Sequence, residues 1–181
     1  SAAAFSRSGS LAPEHWGTWL NLGKVLTLAL HNGTDPVTGK QLGPAEPESS
    51  GFACYGDIVA ALDRQLDHVI RLIVIGDNIL DNLHGKLAPN PFVSLFVDDC
   101  LARGLAYEQG GAVYNYTGPN SVGLANVADA LMAIKGLVFA ERRIEMAALL
   151  AMLDQDFAGH EGGRLLLLNR APKYGNDNEE V

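Results

Sequence analysis

The chain has 181 residues, 48% hydrophobic and 19% charged, with 13 Lys plus Arg against 21 Asp plus Glu for a net charge of −8. That apolar share supports a core and excludes wholesale disorder, while the acidic balance argues against nucleic acid, whose phosphates need clustered Lys and Arg. No apolar run approaches the roughly 20 residues of a membrane span, nothing at Ser1–Gly9 reads as a signal peptide, and two cysteines make no disulfide framework, so a reducing cytoplasm is expected.

Residues 1–13 are small and polar and read as a loop or a cut end. Trp16–Leu30 reads as a helix, because Trp19, Leu22, Val25, Leu26, Ala29 and Leu30 recur at three- and four-residue steps. Asn32 and Gly33 stop it, and the stretch from Thr34 to Gly51 is a connector rich in turn residues. Tyr55–Leu83 is a long amphipathic helix with Ile58, Leu62, Leu66, Val69 and Ile73 on one stripe; Gly76 marks a break or a close contact. Asn90 and Pro91 open another helix, ended by Gly104. One strand is expected, from about 111 to 117, where Val113, Tyr114, Tyr116 and Thr117 lie between Gly110-Gly111 and Gly118-Pro119. Helices follow over Ser121–Phe139 and Ile144–Leu153, with an apolar turn at Leu165–Leu168.

A lone strand leaves two rows of unpaired amides and carbonyls, and no partner for it is legible in the chain. The expectation is therefore of a piece of a larger sheet or barrel, with a strand lacking a complete sheet and helices showing apolar faces. A self-contained helical binding module is the rival.

Several residues suggest chemistry. Asp77, Asp81 and His84 share one helix face at metal-ligand spacing. No His-Glu-x-x-His pattern supports them, and His84 at a helix end suits the macrodipole, so no metal is expected. Asp98, Asp99 and Cys100 diverge by about 100° per residue on a helix and read as solvated or capping charge beside a core cysteine. Cys54, near a helix start, is the better placed thiol. Asn32-x-Thr34 and Asn115-x-Thr117 match the glycosylation pattern by accident in a chain with no secretory signal. The segment Tyr114, Asn115, Tyr116, Thr117 is the densest candidate, able to present side chains into a cavity or to sit as an ordinary buried strand.

The run from Gly110 to Phe139 resembles the pyruvate formate-lyase-like glycyl radical enzymes, most of all the branch of glycerol and diol dehydratases and choline trimethylamine-lyase. Asn21–Leu26 with Asp35–Gly43, the set Asp77, Asn78, His84, Ala88, Pro89, Pro91, Phe92, Asp98, Asp99 and Cys100, and the run Leu168–Asp177 resemble further stretches in the same order, covering the chain from about Trp16 onward. The resemblance implies an α/β fold: a fragment of a glycyl radical enzyme β/α barrel, this segment mostly α-helical with one main strand at about 111–117. It implies that 1–181 is a partial domain lacking the thiyl cysteine segment and the C-terminal glycyl radical domain.

The implied activity is a lyase, in which a thiyl radical abstracts hydrogen from a small substrate and a C–O, C–N or C–C bond breaks; the fragment alone would be inert. The implied cofactor is a glycyl radical elsewhere in the full-length chain, installed with S-adenosylmethionine by an iron–sulfur activase, and the implied partners are that activase and a second copy in a homodimer. Ser1–Ala4 does not match the family's Cys-Val-Glu segment, and neither Cys54 nor Cys100 takes the thiyl role. Where the diol-dehydratase branch has Trp-His-Asp, this chain has Glu14-His15-Trp16, which points toward arylacetate decarboxylases or arylsuccinate synthases; a pyruvate formate-lyase type is a further alternative. Tyr114, Asn115, Tyr116 and Thr117 are expected to line the substrate cavity, with His15 beside them.

Overall fold

The structure, a computed structural model, describes residues 14–45, 51–179 and 181, with side chains from Thr18 onward. The loop expected over 1–13 lies outside the described residues. Two compact units divide the described residues: those of 14–20 with 70–121, and those of 21–69 with 122–181.

The first unit holds a small sheet. Strand β1 is Glu14–Asn21 and strand β2 is Tyr116–Val122, and the two pair in parallel. Two expectations change here. Trp16–Asn21 is strand, not the first turns of a helix, and the expected strand at 111–117 starts at Tyr116 and runs on to Val122. The lone strand therefore has a partner in this chain, although each strand of a two-stranded sheet still keeps one unpaired edge. Pro119 lies within β2, which a strand with a free edge tolerates because its missing N–H need not enter a ladder.

Helix α1 is Leu22–Leu30. Asn21 separates it from β1: its side chain accepts the Lys24 amide at 3.1 Å, the N-cap that begins a helix. Helix α2, Tyr55–Leu87, rises for about 50 Å at 1.5 Å per residue. It passes Gly76 unbroken, and no atom crowds that glycine. Asp57 opens the helix, its Oδ2 accepting the amides of Ala53 and Cys54 at 2.8 and 2.9 Å. The Cys54 amide leads the contacts that hold the Asp57 carboxyl below its ordinary value.

The helix expected to run from Pro91 to Gly104 is two short ones, α3 (Pro91–Ser94) and α4 (Cys100–Arg103). Asn90 caps the first through the Val93 amide, with Pro91 at its first position as expected. Asp99, at φ 71°, stands in the left-handed region and breaks the run before Cys100.

In the second unit α5 (Leu124–Ala133) continues into a π-helical segment, Ile134–Ala140, before α6 (Met146–Asp154) and α7 (Glu161–Arg170). Helix α1 packs on α5. Its core comprises Val25, Leu26 and Leu28 with Ile58, Leu62, Met132, Leu137, Leu149 and Met152. The second half of α2, in the first unit, keeps its apolar period but leaves Leu72, Ile75, Ile79 and Leu83 exposed.

Candidate functional site

The chain entering β2 is held by side chains of α4 and its flanks. Asp99 Oδ2 accepts the Val113 amide at 3.3 Å. Arg103 Nη1 donates to the carbonyls of Gly110 and Gly111 at 3.0 and 2.9 Å. Cys100 is buried with Val97 and Ala112, and Tyr107 packs against them. Gly111 is wedged so tightly that a Cβ there would meet the Leu105 carbonyl at 2.2 Å. Ala112 in its cluster and the wedged Gly111 bend the backbone, so Tyr114 and Asn115 precede the strand and Tyr116 and Thr117 begin it.

Tyr114 and Tyr116 stack, with ring centroids 6.5 Å apart and planes 18° from parallel. Tyr114, in the bend before β2, lays its ring against that of Tyr116 at the first position of the strand. Both rings are open, at 64% and 54% exposure.

Thr117 points the other way. Its hydroxyl donates to Asp81 Oδ2 on α2 at 3.2 Å, and the Thr18 hydroxyl on β1 donates to Asp77 Oδ1 at 2.8 Å. Both threonines thus lie on the sheet face turned to α2. Alternation along a strand then puts Trp19 and Tyr116 on the opposite face, and Trp19 is 62% exposed. The result is an aromatic face of Trp19, Tyr116 and the stacked Tyr114.

Asp77 and Asp81 therefore meet threonine hydroxyls, and His84 is exposed at the far end of the helix. Among the described residues no group of three His, Cys, Asp or Glu is arranged to hold a metal ion. Asp99 stands at the N-cap position of α4 but makes no side-chain cap bond; its carboxylate takes the Val113 amide instead. Burial pushes the Cys100 thiol up, with the Asp99 charge adding to it, and the residue packs in the core. Cys54 is exposed. His15 falls within β1, but its side chain lies outside those described.

Trp19 is the residue that sequence reading missed, because its spacing to Leu22 and Leu26 fits a helix. The signal was Asn21, a helix N-cap that places Trp16, Thr18 and Trp19 before the helix, in a β-favouring run.

Among the described residues, the second unit holds two cavities. One, of about 270 Å³, is lined mainly by hydrocarbon from Leu26, Leu30, Ala133, Leu149, Leu153 and Phe157. The other, of about 640 Å³, is more polar, with Asp57 and Arg64 in its wall.

Among known proteins, the chain is 37% identical over 161 residues to trans-4-hydroxy-L-proline dehydratase of Clostridioides difficile, covering 89% of this chain and 20% of that protein. The substrate-bound structure of that enzyme superposes with a TM-score of 0.85 at 36% identity, over 92% of this chain and 21% of the other. The glycerol-bound B12-independent glycerol dehydratase of Clostridium butyricum gives 0.84 at 34% identity, over 94% and 22%. A glycyl radical enzyme from Archaeoglobus fulgidus gives 0.79 at 34%, over 90% and 20%. The chain thus spans about a fifth of the length of these relatives and corresponds to a part of their barrel, as the sequence led one to expect. With the pyruvate formate lyase-like model matching residues 5–181, the chain belongs to that family of glycyl radical enzymes.

Proposed function

We propose that this chain supplies part of the substrate-facing wall of a glycyl radical lyase that breaks a C–O, C–N or C–C bond of a small substrate. The observation that carries the reading is the exposed aromatic face of Trp19, Tyr114 and Tyr116, formed by a strand pair in a chain that aligns with barrel enzymes. In such a lyase a thiyl radical takes a hydrogen atom from a substrate carbon, the bond to the leaving group on the neighbouring carbon breaks, and the product radical recovers hydrogen from the thiol.

The residues of this chain bind and shield. Tyr114 and Tyr116 offer flat apolar rings with hydroxyl tips; Asn115, which alternation sets on the other side of the chain from them, and His15 of β1 complete the candidate set. Aromatic walls exclude water, which keeps a carbon radical from side reactions. Residues 1–181 form one partial domain of the whole protein, in this reading. The thiyl cysteine and the radical glycine belong to other segments, and the partners are a radical S-adenosylmethionine activase and a second copy of the protein, in the cytoplasm.

A decarboxylase reading is favoured by one feature, Glu14-His15-Trp16 in place of Trp-His-Asp.

The test is anaerobic activation of the protein carrying this chain by a radical S-adenosylmethionine activase. Electron paramagnetic resonance then looks for a glycyl doublet, and product analysis covers diols, hydroxyproline and arylacetates. A doublet with turnover of one class is expected. No radical and no turnover would overturn the proposal.

A further inference from the structure

We infer that Asp77 and Asp81 are positioning residues: a two-point clamp by which α2 sets the aromatic face from behind the sheet. The inference rests on reading that face as substrate-facing, but the clamp can be tested apart from it.

The geometry is specific. Asp77 and Asp81 stand one turn apart on α2, about 6 Å along the axis. Adjacent strands lie about 4.8 Å apart. Two successive turns of one helix therefore fall within reach of two neighbouring strands, and each carboxylate takes the hydroxyl of a different one: Thr18 of β1 and Thr117 of β2. A carboxylate only accepts, so each hydroxyl must donate, which fixes both rotors.

Thr18 directly precedes Trp19, and Thr117 directly follows Tyr116. Holding the threonines on one face therefore sets the backbone that carries the aromatic residues on the other. Asp77 is only 8% exposed, and a buried carboxylate is costly unless hydrogen-bonded, so its bond to Thr18 is part of the packed structure. The i, i+4 spacing that suggested metal ligation is accounted for by this clamp.

The expected consequence is a loss of catalytic alignment rather than of substrate affinity. Misplacement near 1 Å can cost about a hundredfold in rate, and loss of one clamp point is expected to lower kcat about tenfold, with KM changed less than about threefold. The variants are Asp81→Ala, Asp81→Asn and Thr117→Val, made in the protein carrying this chain and assayed per glycyl radical counted by paramagnetic resonance. Asp81→Ala and Thr117→Val should both show the loss. Asp81→Asn, whose amide oxygen still accepts the hydroxyl, should restore kcat to within about threefold of the parent, because the role is that of an acceptor. An Asn variant as impaired as the Ala variant would overturn the clamp, because charge or ligation would then be the role. A full-rate Ala variant would overturn it as well.

Hydrogen exchange at the β2 amides and the near-ultraviolet circular dichroism of the tyrosine pair give the second readout, on the unactivated protein. Asp81→Ala should accelerate exchange in Tyr116–Val122 about tenfold or more and alter the tyrosine band, whereas Asp81→Asn should do neither. This readout decides the clamp even if the parent shows no turnover, an outcome that would count against the proposed function alone. Unchanged exchange in Asp81→Ala would overturn the clamp.

Discussion

Arg103 and Gly111 hold the entry to the candidate site: the guanidinium Nη1 donates to the Gly111 carbonyl at 2.9 Å, across a loop too tight for any side chain at the glycine. A Cβ on Gly111 would also approach the Ala106 carbonyl and Cys100 Sγ, each at 2.8 Å. These are backbone and core atoms with little room to yield. Gly111→Ala is expected to destabilise the first unit by about 1–3 kcal/mol, the range for overpacking. The check is the urea midpoint at constant slope.

The aromatic face makes the second prediction. Tyr116→Phe keeps the stack with Tyr114, and Tyr116→Ala removes it. An aromatic pair contributes about 1 kcal/mol beyond its area, so the Ala variant is expected to lose at least about fivefold in kcat/KM, beyond the loss in the Phe variant. Steady-state rates of the activated protein give the answer. Equal rates for both variants would remove ring stacking from the account.

The third concerns pH. Lys24 donates to Asp35, Thr38 Oγ1 donates to it at 2.8 Å, and the Val37 amide does so at 3.2 Å. The Lys24 hydrogen bond leads in lowering its carboxyl from 3.8 to about 2. The folded value lies below the unfolded one, so the stabilisation is fully present above about pH 4 and is lost as pH falls toward 2. Asp35→Asn should therefore lower stability at pH 7 and flatten the fall between pH 4 and 2. Urea midpoints across that range test the sign; an Asn variant as acid-sensitive as the parent would refute it.

The fourth addresses the second unit's core. Ile58, on the first half of α2, is fully buried. Ile58→Ala is expected to cost about 2–5 kcal/mol and Ile58→Val about 0.5–1.5 kcal/mol. Chemical denaturation measures both, and a cost below 1 kcal/mol for Ala would mean that the site collapses around the gap.

Helix α2 was legible because its apolar residues keep a helical period for eight turns, a signal carried within the segment itself. Strand β1 was hidden because Trp19, Leu22, Val25 and Leu26 keep that same period across the boundary. Its pairing partner also lies about a hundred residues away, where no local pattern can announce it. The displacement of β2 has a different cause. Ala112 looks like strand by its neighbours but is drawn into the Cys100 cluster, and Gly111 must fit a gap between two carbonyls. Between α3 and α4 the chain runs through turns and a bend over 95–99 and ends at Asp99 in the left-handed region, a conformation that composition does not show. Of the site, Tyr114 and Tyr116 could be chosen from residue type. Thr117's bond to Asp81 and Trp19's place on a strand paired with β2 required the fold.

The stripe of Leu72, Ile75, Ile79 and Leu83 along α2 has a practical consequence. A purified 181-residue polypeptide that leaves those leucines and isoleucines in water will self-associate as its concentration rises. Light scattering should show particle size growing with dose, and serine replacements along that one ridge should keep the preparation monodisperse.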